Sequence, residues 1–498
     1  MEFLNMPKGG LRTGLLLGAA MGLATMAAPA NADTLREALA QAYVSNPSLE
    51  AARAQQRAVD EGVPIERSAG LPDVAATGSY TEFLEGASQF GPDRLFTGGL
   101  DLGVPLYSGG AVKNSIRAAK QRVTAGQADL RATESAIFTR VVAAYMDVLR
   151  NQAIVGLSTN QVDVLGVNLQ ATSDRFEIGD LTRTDVAQSQ ARLAVAQGDL
   201  EGARANLISA RETYIQLVGE APTNLEPPPP LPGLPESAEQ AVQIALENNP
   251  DLIAAEERAE AAGYDIRVAG SGRLPRLSAF AGYDYQNTLS SLRSQVPGGS
   301  LPQSDTAAQA GLSLRIPLFQ GGRPAALERQ AQARASAALE QVIAAERDVI
   351  AQVRAAYSSW LAANAIIESS QSAVDAAELS LEGVRAENSI GNRTILDVLN
   401  AEQELLSARV QLVTARRNAY VSGFSLLAAM GRAEARDLNL DTGGPLYDPQ
   451  LNYERVQGKF FDWSRDPDPE PQATRTIDIA APDASIVQVD AIEADPGL

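Results

Sequence analysis

The residues best placed to do chemistry lie in two matching turns. Gly179, Thr182, Asp185 and Val186 recur as Gly391, Thr394, Asp397 and Val398, an offset of 212. Glycine permits a tight reversal between antiparallel helices. Asp185 and Asp397 then fall in the first turn of each returning helix, where a carboxylate favours the helix dipole. Arg393 adds a positive charge beside Asp397. Elsewhere the usual tools of catalysis are missing. The 498 residues include no cysteine and no histidine. This excludes a disulfide framework, a thiolate zinc site, a cysteine nucleophile, a lipidated cysteine and the usual general base. With no nucleophile–base set, phosphate loop or metal cluster, neither an enzyme nor a cofactor is expected. Against 61 acidic residues stand 41 Lys and Arg, a net charge of −20, which makes nucleic acid a poor partner.

The elements that carry these turns are duplicated. Asn46-Pro47 recurs as Asn249-Pro250, Leu71-Pro72 as Leu274-Pro275, and Tyr80 as Tyr283, at an offset of 203. Beyond them the offset is 212: Pro105, Leu106, Gly109 and Gly110 match Pro317, Leu318, Gly321 and Gly322. The second copy therefore carries nine extra residues between Tyr283 and Pro317. The expected organisation is a first repeat over 33–219, a proline-rich spacer over 220–236, a second repeat over 237–431, and an acidic, partly disordered tail over 432–498.

No proline occurs from 106 to 221 or from 325 to 444, which predicts long helices. Val141, Val148, Val155, Val162 and Leu169 keep a seven-residue period, as do Val353, Trp360, Ile367, Val374 and Leu381. Such a sustained seam predicts antiparallel coiled coils, each about 100 Å long at 1.5 Å per residue. A short helix from about 47 to 70 and the returning helix from 185 to 219 together match one long helix and are expected to stack end to end beside it.

The N-terminus reads as an export signal. Lys8 and Arg12 precede an apolar run over 15–28, and Ala30-Asn31-Ala32 supplies the small-x-small cleavage pattern. Cleavage after Ala32 is expected. No later stretch is apolar for long enough to form a spanning helix, so any passage into a membrane requires a β-barrel. Residues 71–107 and 274–319 have the needed texture. Leu100, Leu102, Val104 and Leu106 alternate with other residues, as do Leu277, Ala279, Ala281, Tyr283 and Tyr285, and Leu312, Leu314, Ile316 and Leu318. Four strands cannot close a barrel in lipid. Two chains would give eight strands and a filled interior. Three would give twelve and a passage, and would gather three copies of Asp397 into an acidic ring that Arg393 could tie to Asp185 or Thr184.

This layout resembles the TolC family of trimeric outer-membrane ducts, in its non-lipidated branch. The likeness rests on the duplication, the Asn-Pro after each opening helix, Pro105-Leu106-Tyr107-Ser108-Gly109-Gly110 with its partner at 317–322, and the turn from Ile390 to Asn400. The resemblance implies an α + β membrane protein. Long antiparallel coiled-coil helices would form a periplasmic α-barrel, and four strands per protomer would contribute to a 12-stranded trimeric β-barrel. It implies a homotrimer in the outer membrane, in contact with its lipid, that extends into the periplasm. The duct would export small toxic molecules or secreted proteins with a periplasmic adaptor and an inner-membrane transporter, ABC-type or proton-driven. By the same resemblance Asp185, Thr184, Arg393 and Asp397 fall on gate positions. A second carboxylate of the family falls on Asn400, and a gating tyrosine on Asn388. The tips Gly179, Asp180, Leu181, Gly391, Asn392 and Thr394 would meet the adaptor. A periplasmic coiled coil without a channel and an autonomous porin are the competing readings. The first has no use for alternating strands, and the second needs more of them in one chain.

Overall fold

The computed structural model describes residues 33–84, 91–292, 299–440 and 442–486. The export signal over 1–32 and the end of the tail lie outside them. Helix α1 (Leu35–Ser45) opens with a capping box in which Thr34 and Glu37 satisfy each other's backbone N–H. It stops at Asn46, and α2 (Pro47–Asp60) and α3 (Gly62–Ser68) climb to the first strand. Strands β1 (Asp73–Glu82) and β2 (Arg94–Tyr107) follow. Helix α4 (Ala111–Glu177) then descends for 67 residues, and α5 (Arg183–Val218) returns for 36. The second copy repeats the plan with α6 (Ala238–Asn248), α7 (Pro250–Gly270), β3 (Arg276–Asn287), β4 (Ser304–Arg315), α8 (Arg323–Ser389) and α9 (Ile395–Ala429). A last helix, α10 (Pro449–Val456), belongs to the tail.

The Asn-Pro pairs explain why each short helix breaks where it does. Asn46 accepts hydrogen bonds from the N–H groups of Ser48 (3.0 Å) and Leu49 (3.4 Å), and its amide donates to the Leu217 carbonyl at 2.9 Å. Asn249 does the same with Asp251 and Leu252, and donates to Ala429 at 2.9 Å. Proline at the first helical position loses no hydrogen bond there. One side chain therefore starts α2 and binds the end of α5, so the two helices meet end to end beside α4. The end-to-end stack expected from helix lengths is present in both copies. Gly219 and Gly431, both at positive φ, terminate the returning helices. A Cβ on Gly431 would sit 2.4 Å from the Asn248 carbonyl oxygen, so the junction admits no side chain there.

The seam follows the heptads. Val141, Val148 and Val155 are buried on α4, and Val353, Val374 and Leu381 on α8. Burial is nonetheless unequal. α4 has 21 buried residues, whereas α8, of the same length, has eight. Leu339, Ile343, Leu361, Ile366 and Leu379 on α8 are exposed. α4 runs inside the protomer and α8 along its edge.

The four strands form one antiparallel sheet in the order β1-β2-β3-β4, with the two repeats joined through β2 and β3. β1 and β4 each leave one ladder unpaired. Such edges cannot face lipid, and further chains must pair with them. One expectation fails in detail. β4 ends at Arg315, so Ile316 and Leu318 lie beyond the strand, and Leu318 is 93% exposed. Pro317 cannot donate to a ladder. In the first copy Pro105 is carried by a register shift against β3, which lets β2 reach Tyr107.

The acidic tail also departs from a free, solvated chain. Leu438, Leu440, Leu446 and Tyr447 join the main core, and Arg211 binds Asp483 and the Ser485 carbonyl. Asp466 is held by Arg455 and Lys459. No helix among the described residues is long and apolar enough to cross a membrane.

The junction makes a stability prediction. Asn249→Ala removes a cap worth about 0.5–2 kcal/mol and strands the Ala429 carbonyl at a further ~1–3 kcal/mol. Thermal unfolding of the purified assembly should drop by several degrees. An unchanged melting curve would mean that water satisfies these groups.

Candidate functional site: the paired helix tips

Both turns close by the same backbone device. Gly179 and Gly391 take φ of 85° and 82°, a left-handed region that a side chain disfavours. The N–H of Asp180 donates to the Arg175 carbonyl, and that of Asn392 to the Glu387 carbonyl, each at 2.9 Å. Thr182 and Thr394 then cap the returning helices. The N–H and hydroxyl of Thr182 both donate to Asp185, at 2.8 and 2.7 Å. Those of Thr394 donate to Asp397 at 3.0 and 2.7 Å. These bonds, the threonine side chain first, hold both carboxyl groups below the usual carboxylate range. Arg393 lowers Asp397 further as a minor contribution.

An ion pair also braces each turn, with the order of its charges exchanged. In the first, Arg175 binds Asp180 at 2.7 Å. In the second, Glu387 receives Arg393 at 2.7 Å. Glu387, then Asp397, raises the Arg393 pKa. Within the protomer, Arg393 therefore pairs with Glu387, and Asp185 and exposed Thr184 stand on the other hairpin. Sequence reasoning missed Glu387, although it precedes Arg393 by only six residues. Asn388, in the place of the expected tyrosine, donates to the Arg393 carbonyl at 2.8 Å and belongs to its own turn. Leu181 is half-buried, while Gly179, Asp180, Gly391, Asn392 and Thr394 are exposed at the end of the molecule.

The links between the two hairpins lie just above the turns. Glu402 on α9 is 2% exposed, and both its oxygens accept from the Asn168 amide on α4, at 2.9 and 3.0 Å. Arg385 on α8 adds a third bond at 3.1 Å. Asn400, in the place of the expected second carboxylate, accepts from Arg192 on α5 at 2.8 Å. Leu165, Ala196 and Leu399 pack between these polar ties. Asp147 and Arg417 join α4 to α9 higher up, at 2.9 Å. Glu402 was missed by the sequence reading. Its signal is a charge within the buried face that Val398, Leu405 and Leu412 define at seven-residue spacing.

This architecture can be set beside known proteins. The sequence pattern of the family described as outer membrane efflux protein matches residues 38–220 and 241–432. The chain belongs to the outer membrane efflux protein family. It is 33% identical over 431 residues to the outer membrane efflux protein BepC of Brucella suis biovar 1, covering 86% of this chain and 91% of that one. Against the outer membrane protein TolC of Vibrio cholerae the identity is 29%, over 85% and 96%. The solved outer membrane protein VceC of Vibrio cholerae shares the fold, with a TM-score of 0.68 at 24% identity over 80% of this chain and 96% of that one. The protein is thus an outer-membrane duct, with its four strands in the membrane and its helices in the periplasm.

The hairpin interface yields a prediction. Glu402→Ala leaves the Asn168 amide without its acceptor, a cost of about 1–3 kcal/mol. Amide hydrogen exchange near 165–172 and 398–405 should speed up, while exchange near the barrel should not. Glu402→Gln, which keeps an acceptor for Asn168, should fall between. Equal exchange in wild type and both variants would show that apolar packing alone holds the hairpins.

Proposed function

We propose that three copies of this chain form a passive conduit, closed at its periplasmic end by the paired turns. The observation that carries this reading is the unfinished protomer. Its sheet has two open edges and its α8 has an uncovered apolar face, and in this reading the same neighbouring protomers complete both. Three protomers supply twelve strands, wide enough for a passage. The helices below continue it as a tube. The conduit catalyses nothing itself. An inner-membrane transporter selects and drives the cargo, a small toxic molecule or a secreted protein, and a periplasmic adaptor joins transporter to duct.

In this reading Asp397 lines the mouth as an acidic ring, Asp185 stands on the outer hairpin, and Arg393 offsets the repulsion of like charges drawn to the axis. The local bonds of Arg393 and Asp397 support it, because they fix both groups in orientation before the protomers meet. Asn400, where a carboxylate was expected, accepts from Arg192 across the hairpins, while Asn388, where a tyrosine was expected, stays within its own turn. The gate is therefore held by amide and arginine hydrogen bonds.

Planar-bilayer recording tests the gate. Arg393→Ala should raise closed-state conductance a few-fold, and Asp397→Ala should weaken cation preference and block by multivalent cations. If both recordings match wild type, the two residues are helix-end chemistry only. The exposed turns are the proposed adaptor contact. Cysteines at Asp180 and Asn392, in a chain with no native cysteine, should crosslink to the adaptor, and one at Tyr80 should not. Crosslinks from Tyr80 alone would invert the orientation.

A further inference from the structure

The tail climbs toward the sheet and comes back. At the start of α10 the Gln450 amide donates to Gln127 at 3.0 Å, and the Asn452 amide to Asp60 at 2.7 Å. Tyr453 packs against Val63, Ala119 and Val123. The Gln457 carbonyl accepts from Arg67 at 3.0 Å. Because α2 and α3 rise to β1 while α4 descends from β2, each partner lies nearer the sheet than the last. The descent follows. Thr474 lies against Gly219, and Asp483 and Ser485 bind Arg211 on α5. The loop 458–466, tied back to α10 by Asp466, is therefore the summit. Arg67 lies in the last turn of α3 and precedes β1 by six residues.

At this summit three aromatic side chains point into the open. Phe460 is 77% exposed, Phe461 67% and Trp463 86%. The loop that holds them is pinned. Both terminal nitrogens of Arg455 reach Asp466 at 2.7 Å, and Lys459 reaches it at 3.2 Å. The Ser464 N–H closes a turn on the Phe461 carbonyl at 3.0 Å. A contiguous exposed apolar patch marks a contact surface. Aromatic rings are enriched where membrane meets water, because an indole has an apolar body and a polar tip. β1 begins six residues beyond Arg67, so the patch lies just below the strands that the proposed barrel presents to lipid.

We propose that the loop 458–466 is an interfacial anchor, with Phe460, Phe461 and Trp463 seated in the periplasmic leaflet of the outer membrane. This rests on the four strands being the part of the chain within the lipid. Asp462, between two of the aromatics, keeps the loop at headgroup depth. The Asp466 bridges offset the charges of Arg455 and Lys459 beside the lipid and hold the rings outward. A chain without a lipidated cysteine thereby gains a second grip on the bilayer, tied through α10 to the helical body.

The chain has two tryptophans, so Trp360→Phe leaves Trp463 as the sole reporter. The full assembly is placed in phosphatidylcholine nanodiscs, and its conductance is checked in bilayers of the same lipid. Lipids brominated near the headgroup end of the acyl chain should quench Trp463 several-fold more than lipids brominated near the methyl end. Phe460→Ser with Phe461→Ser should reduce that quenching and raise quenching by aqueous acrylamide. Absence of bromine quenching in conducting assemblies overturns the anchor while leaving the duct intact. Acrylamide then distinguishes a loop left in water, which is quenched, from one covered by a neighbouring protomer, which is shielded. Either result excludes lipid contact.

Discussion

The carboxamides of Asn46 and Asn249 each satisfy three backbone groups where helix ends meet. A helix end leaves N–H and carbonyl groups without partners, and at 4% and 5% exposure these two sites have little water to supply them. One amide supplies both an acceptor for the helix that starts and a donor for the helix that stops. Without it α5 and α2 would abut with unsatisfied backbone groups, and the continuous companion of the long helix would be weakened at its joint. The length match between α4 and its stacked partners follows from this junction, and so does the placing of strands at one end and turns at the other. The duplication repeats the solution because the geometric problem is repeated.

Much of this was legible in the sequence. Recurrence of Asn-Pro, of the glycine turns and of the heptad valines identifies local features, and local rules govern capping, reversal and the buried face. The partners of Glu402 were not legible. A heptad tells which face of α9 is covered, but not that Asn168, 234 positions earlier, arrives opposite it. Arg393 illustrates the same limit at short range. Its charge and its place near the helix dipole can be read, whereas its choice of Glu387 depends on how the turn folds. The end of β4 was misjudged because alternation continues through Leu318 while hydrogen bonding cannot continue through Pro317. The path of the tail was illegible for a different reason: an acidic, proline-containing segment reads as solvated unless its buried partners, such as Arg211, are known.

The tail also shows a tension within the body. Glu134 on α4 accepts from the Ala435 N–H at 2.6 Å. Burial, with nearby Glu434 adding to it, pushes its carboxyl up to about 7. Glu434 itself is paired, with Arg131 at 2.7 Å and Arg436 at 2.8 Å. The stability that a raised carboxyl pKa contributes is full below its ordinary value and is lost as pH rises through the raised one. The joint between the start of the tail and α4 is therefore firmer in mildly acidic than in alkaline surroundings.

The two kinds of bond at the periplasmic end separate what stays from what can move. Arg175 with Asp180, Glu387 with Arg393, and the two threonine–aspartate caps all lie within one hairpin. None of them breaks when one hairpin swings away from the other. Asn168 with Glu402 and Arg192 with Asn400 lie between hairpins, and separation must break them. Their costs differ. Arg192 and Asn400 can exchange each other for water, whereas Glu402 is buried and, though Arg385 of its own hairpin stays with it, loses both bonds from the Asn168 amide. Rigid tips joined across a separable interface make the whole hairpin, and not its turn, the unit that can move, with the bonds from Asn168 to Glu402 as its buried tie.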